Sequence, residues 1–219
     1  TFQALHASAD GILERLHAAA DGGVEGGEVV LRALDQLGEA DLLLAGPIDV
    51  LGNNSGGSTT QRLVDVRPED FDFVFATNTR GAFFVAQAVG RRMIARAKDE
   101  PSRQARIVNV ASMAGLKVLA QIGVYAMSKA AVVHMTRAMA LEWARHGINV
   151  NAICPGYIET ELNAHHWQTE AGRKLISMLP RKRLGEPEDL DGLLLLLASD
   201  HSRFVNGAVI AADDGFGLA

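Results

Sequence analysis

From residue 47 onward, short apolar runs rich in valine and isoleucine alternate with longer stretches of helical spacing, and this alternation limits the fold more than any other feature. Four runs predict strands: Ile48 to Asn53, Arg106 to Ser112, Ile148 to Cys154 and Ala208 to Ala212. They are apolar almost throughout rather than at every second residue, which suits strands covered on both faces, as in a parallel sheet. Between them lie helical stretches. Glu69 to about Arg96 carries Phe71, Phe75, Phe83, Phe84, Ala88 and Met93, and Pro68 fits its first turn, where a missing N–H costs nothing. Tyr125 to His146 is a second helix, stopped by Gly147. Pro187 to Ser199 is a third, with Glu186, Glu188 and Asp189 near its positive end. This order predicts right-handed crossovers and a doubly wound, mostly parallel α/β sheet with helices on both faces. No repeat or linker divides residues 47–219, and 219 residues suit a single domain.

In such sheets ligands bind beyond the carboxyl ends of the strands, so the residues there form the candidate site. The first strand delivers Asn53, Asn54, Ser55 and Gly56, the second Ser112, and the third Pro155 and Gly156. Thirteen residues separate Ser112 from Tyr125, enough for a strand end, a loop and a first helical turn to bring hydroxyl and phenol together. Tyr125 and Lys129 stand four apart, on one helix face. A carbonyl under reduction gathers negative charge on oxygen, and two donors aimed at it stabilise that charge while one delivers the proton. A free phenol, with a pKa of about 10, is a poor acid–base group at neutral pH, and a neighbouring ammonium is expected to favour its ionised form. Taken singly, each residue has a plainer reading: Ser112 as a hydroxyl bonding a turn, Asn53 and Asn54 as turn residues, Asn78 as an exposed mid-helix asparagine. Their joint order and spacing favour the site.

These stretches resemble the short-chain dehydrogenases/reductases of the roughly 250-residue type. IDVLGNNSG is similar to the family's NNAG strand, with Ser55 for alanine; Asn78 matches its helix asparagine; Ser112 in RIVNVASMAG, with Tyr125 and Lys129 in YAMSK, matches its serine and YxxxK. INVNAICPGYIET resembles its PG segment, and FVNGAVIAADDGFG its last strand and following loop. The resemblance covers about residues 47–217. It implies a Rossmann-like fold and an NAD- or NADP-dependent oxidoreductase acting on an alcohol or ketone. Tyr125 would be the general acid or base, Ser112 would fix the substrate oxygen, Lys129 would also bond the nicotinamide ribose, and Asn78 would hold a water relaying protons. Asn53, Asn54, Gly56, Pro155, Gly156, Ile158 and Thr160 would complete the cofactor site, Ile158 and Thr160 at the carboxamide. The alternative is a catalytically silent member of the fold that binds a ligand or partner.

The family's opening strand and TGxxxGxG turn, whose glycines admit the pyrophosphate to a helix N-terminus, have no clear counterpart, so residues 1–46 match poorly. One alignment makes Ile12 to Ala20 a helix, Glu28 to Leu34 the third strand and Asp35 the aspartate near the adenine, and expects further residues upstream of Thr1. The other takes HASADGIL, residues 6–13, as a decayed glycine turn. Neither chooses between NAD and NADP.

Composition removes several function classes. A net charge of -5 disfavours nucleic acid, and the short RKR at 181–183 reads as solvated surface. The longest leucine run, Leu193 to Leu197, is far short of a membrane span, and the opening residues lack a secretion signal's pattern. The single cysteine, Cys154, lies in an apolar run and reads as a buried, inert thiol, in keeping with a cytoplasmic protein. Residues 157–179 read as a lid over an apolar substrate pocket; within it, His165 and His166 read as surface residues rather than metal ligands. Val132, Val133, Met135, Met139, Leu141 and Trp143 make the Tyr125 helix apolar nearly all round, which predicts pairing into a homodimer or homotetramer.

Overall fold

A computed structural model describes residues 28–30, 47–161 and 163–218. Its centre is a five-stranded, wholly parallel sheet in the order β1 (Glu28–Val30), β2 (Ile48–Asn53), β3 (Ala105–Val110), β4 (Ile148–Pro155) and β5 (Val209–Ala212). The strand expected at Glu28 to Leu34 is present over Glu28–Val30 as β1, paired directly with β2; the rest of it lies outside the described residues, as do Asp35, the helix from Ile12 and HASADGIL. Continuous apolar runs gave the right positions for β2 to β5 because both sheet faces are covered, and β2 and β3 are buried along nearly their whole length.

The expected helix from Glu69 to Arg96 is two helices, α1 (Pro68–Phe75) and α2 (Ala82–Arg96), joined by a π-helical turn over Ala76–Gly81. Pro68 does open α1 at its first turn. The remaining helices are α3 (Gly123–Trp143), α4 (Ala164–Trp167), α5 (Glu170–Met178) and α6 (Asp191–Ala198), with a short 3-10 turn at Pro187–Leu190 before α6. Asp189 reaches back to accept from the Glu186 N–H at 2.9 Å, completing a capping box at the start of that turn.

Side-chain alternation sorts the helices between the faces. Ile107 and Val150 pack with Ala86, Val89 and Met93 of α2 and Met139 and Ala140 of α3. Val108 and Ile153, pointing the other way, pack under Leu194 and Leu197 of α6. This corrects one expectation. The connections β2–α2–β3, β3–α3–β4 and β4–α6–β5 all step the same way across the sheet, yet α6 lies on the face opposite α2 and α3. The last crossover therefore has the opposite hand from the other two and escapes the usual rule. Residues 156–190, which include α4 and α5, lie between β4 and α6.

A thread of buried amides and hydroxyls runs through the sheet's centre. Asn53 Nδ2 donates to the Ala82 carbonyl at 2.8 Å and to Asn109 Oδ1 at 3.2 Å; Asn109 Nδ2 donates to Thr136 Oγ1 at 2.9 Å; Thr136 Oγ1 donates to the Val132 carbonyl at 2.8 Å. The first three links join β2 to α2, β2 to β3 and β3 to α3, so these four elements share one register, and the last anchors the Thr136 hydroxyl within α3. Thr136→Val keeps the shape but leaves the Asn109 amide one acceptor short, at an expected cost of about 1–3 kcal/mol. Chemical denaturation measures it; a variant as stable as the parent contradicts the role given to the thread.

Candidate active site

At the end of β3 the chain turns through Met113–Gly115, and Ser112 caps that turn by accepting from the Ala114 N–H at 3.1 Å. The plain reading of Ser112 is therefore correct, and it is incomplete. Its hydroxyl also lies close enough to the Tyr125 phenol to favour the phenolate. Gly115 permits this closeness, because a Cβ there would stand 2.8–2.9 Å from the Lys129–Ala130 backbone. The turn is thus pressed against α3, which bears Tyr125 in its first turn.

Lys129, one turn on, is buried, with 4% of its surface exposed. Its ammonium donates to the Val110 carbonyl at 2.9 Å and lies 5.9 Å from the centre of the Tyr125 ring. Loss of water brings its pKa down to about 8, with the Cys154 thiol opposing that shift. Tyr125 moves the other way. Burial raises its pKa above the ordinary value and Ser112 only partly offsets this. The lowering expected from Lys129 is not found: loss of water is the dominant influence on the phenol. Cys154 is fully buried at the end of β4, as expected, and burial raises its pKa.

Asn78, taken singly as exposed, is fully buried within the π-helical turn. Its Oδ1 accepts from the Gly57 N–H at 2.6 Å, and its Nδ2 donates to the Gly57 carbonyl at 2.8 Å and to Ser128 Oγ at 2.9 Å. The amide thus closes a two-bond clamp on the N–H and carbonyl of one residue, Gly57, and reaches α3 as well. Gly56 lies against the same cluster: a Cβ there would be 3.3 Å from Lys129 Nζ and 3.7 Å from Asn78 Oδ1.

The other predicted residues divide. Asn53, expected at the cofactor, turns its amide into the sheet and is committed to the buried thread. Asn54 and Gly56 are half-buried beyond the end of β2. Pro155 ends β4, and Gly156 passes so near the C-terminal loop that a Cβ would lie 2.7 Å from Asp213 Cα. Ile158 bridges to Gly185, while Thr160 donates its N–H to Asn163 Oδ1 at 2.8 Å. Of these, Gly156 and Ile158 line a cavity of about 290 Å³ together with Leu179, Arg183 and Asp214. Beside it, Tyr157 packs on Trp167 at 5.6 Å and on Phe216 at 5.4 Å, with Lys117 over the Phe216 ring at 4.9 Å. His165 and His166 are exposed, and no group of three or more potential metal ligands occurs among the described residues. The RKR segment is exposed but not merely solvated: Arg181 and Arg183 lie 3.2 and 3.7 Å from Asp214.

Sequence reasoning passed over Ser128, Asn109 and Thr136. The two strand and helix positions carried a usable signal, since a polar residue inside an otherwise apolar, doubly covered element needs a buried partner. Ser128 carried none, because serine fits an exposed helical position equally well.

A crevice at the carboxyl ends of parallel strands, with serine, tyrosine and lysine brought together there, defines a class, and comparison with known proteins agrees. Residues 16–217 match the family model described as enoyl-(acyl carrier protein) reductase. The chain belongs to the short-chain dehydrogenase/reductase family. It is 37% identical over 169 residues to a NAD-dependent glycerol dehydrogenase of Listeria innocua, covering 77% of this chain and 64% of that protein. It is 40% identical over 170 residues to a 3-oxoacyl-[acyl-carrier-protein] reductase of Thermotoga maritima, covering 78% and 66%. Among solved structures, a gluconate 5-dehydrogenase from Burkholderia cenocepacia in complex with NADP and tartrate superposes with a TM-score of 0.76 at 35% identity, covering 83% of this chain and 71% of that one. The chain spans less than two thirds of the length of these two curated relatives.

The burial of Lys129 has a measurable consequence for stability. Its pKa is lower folded than unfolded, so between about 8 and the ordinary lysine value near 10.5 the unfolded chain binds the extra proton. The cost of enclosing the charge is therefore full below pH 8 and fades as pH rises. Lys129→Met is expected to exceed the parent in stability at pH 7 by a few kcal/mol at most and to lose that advantage by about pH 10. Urea denaturation across this range tests it; an advantage that grows with pH contradicts it.

Proposed function

We propose that the chain is a Rossmann-like domain of an NAD- or NADP-dependent oxidoreductase that interconverts a small alcohol and its carbonyl compound. The observation that carries this reading is the approach of the Ser112 hydroxyl to the Tyr125 phenol with the buried Lys129 one helical turn away. A silent binding protein has no use for a cation enclosed at such cost, whereas a proton-transfer site has. Relatives named for glycerol and gluconate support a small hydroxylated substrate.

The residues present fit the nicotinamide half of the cofactor. Gly56 leaves the face of Lys129 and Asn78 open where a side chain would fill it, and Gly156 and Ile158, beyond the carboxyl end of the neighbouring strand β4, line a cavity. Bound there, the nicotinamide supplies or accepts the hydride. The chain's own groups do the rest. Ser112 holds the substrate oxygen, and Tyr125 gives it a proton in reduction or takes one in oxidation. Lys129 offers its ammonium to the ribose and Asn78 orders the path outward from it. Tyr157, Trp167 and Phe216 wall the substrate side, with residues 157–179 as the lid.

The described surface fits a homodimer or homotetramer. Phe83, Phe84 and Leu141 of α2 and α3 are exposed, Leu141 by 83%, beside an apolar hollow of about 510 Å³ lined by Phe75, Phe83 and Met135. A second copy would cover this face. Among the described residues no helix is long and apolar enough to cross a membrane, and Cys154 as a buried free thiol accords with a cytoplasmic setting.

Tyr125→Phe in the full-length protein is expected to lower turnover about 10³-fold with little change in cofactor affinity followed by nicotinamide fluorescence. Because burial raises the phenol's pKa, it stays protonated at neutral pH; carbonyl reduction should run there, while alcohol oxidation should climb with pH as the phenolate forms. Turnover retained by the phenylalanine variant, or oxidation falling between pH 7 and 9, contradicts the assignment.

A further inference from the structure

We propose that Ser128 is a positioning residue for Tyr125 and Lys129, joining the first turns of α3 to the π-helical turn and through it to the loop after β2. The inference rests on the reading of Tyr125 as the proton-transfer group. A buried serine in a helix ordinarily returns its hydroxyl to a carbonyl three or four residues back, and Ser128 does so, donating to the Tyr125 carbonyl at 2.7 Å. That bond alone would be local upkeep. The same oxygen, however, accepts from Asn78 Nδ2 at 2.9 Å, across fifty positions of sequence. Thr79, next in the π-helical turn, donates its hydroxyl to the Ser128 carbonyl at 3.2 Å. Two successive residues of one element thus grip both ends of a single residue of another.

The joint reaches further through Asn78. One of its amide protons is held by Ser128; the other, with Oδ1, clamps the carbonyl and N–H of Gly57. Gly57 follows Gly56, whose backbone passes close to the Lys129 ammonium. Ser128 and Asn78 are each fully buried, so no water replaces a lost partner. A π-helical turn is a rare, costly departure from α-helix that recurs at functional sites, and here it swings Asn78 and Thr79 together toward α3. Ser128 gives that swing its target: without its hydroxyl, one buried amide proton of Asn78 has no acceptor, and the clamp that holds the loop over Lys129 loosens.

The test uses the full-length protein and two readouts. Ser128→Ala is expected to raise amide hydrogen exchange over residues 54–60. It should also lower kcat about 10-fold, with the cofactor KM changing less than about twofold, since misplacing a reacting group affects the chemical step more than binding. Ser128→Thr, which keeps the hydroxyl, should restore both. If the alanine variant does not fold, Ser128→Cys, with a weaker hydrogen-bonding group of similar size, is read in the same way. Unchanged exchange over 54–60, or a kcat loss that follows only the folded fraction, overturns the proposal. A parent protein without turnover would instead overturn the oxidoreductase reading, and the exchange readout would still decide the joint.

Discussion

An ammonium enclosed by protein has lost its hydration and must recover it from fixed dipoles, or its proton becomes easier to lose. Lys129 is in that position. Among the described contacts its ammonium meets the Val110 carbonyl, the face of the Tyr125 ring and the backbone at Gly56, and the balance leaves its pKa near 8. A group so poised is a cation at neutral pH yet only weakly attached to its proton. Much of the surrounding architecture is understandable as what keeps that side chain dry and directed: Gly115 seats the Ser112 turn against its backbone, and the strand ends close over it.

Holding it there requires polar groups inside the fold, and these occur in two sets. The thread from Asn53 through Asn109 to Thr136 keeps the sheet and its two helices in register. The joint among Gly57, Asn78 and Ser128 sits nearer the crevice and couples α3 to the loop after β2. Both sets are satisfied by side chains distant in sequence, which makes them specific to this arrangement: a slipped strand or a straightened helix would strand several buried donors at once. The π-helical turn is the local irregularity that makes the second set possible.

How much of this was legible depended on whether the signal was local. Runs such as Ile48 to Asn53 and Ile148 to Cys154 announced strands because burial on both faces leaves an unbroken apolar pattern, and the Tyr125–Lys129 pair announced itself by helical spacing. The π-helical turn was only faintly legible: Thr77, Asn78, Thr79 and Gly81 are poor helix formers, but the form of the break is set by what Asn78 and Thr79 reach across space. The direction of the Asn53 amide was hidden for the same reason: its position at a strand end was readable, while its turn into the sheet was decided by Asn109 and Ala82. The hand of the last crossover was misread because the face on which α6 packs is decided by what Leu194 and Leu197 meet across space. The direction of the Tyr125 shift was misread because spacing reveals a neighbouring charge but not the loss of solvent.

The central claim is that Lys129 is a buried cation whose proton is loosened by desolvation beside the phenol. Titration of its side-chain nitrogen by NMR in isotopically labelled full-length protein, assigned with Lys129→Met, measures this directly. The account predicts a midpoint near 8. A midpoint at the ordinary lysine value, about 10.4, would show an ammonium still hydrated and would contradict it.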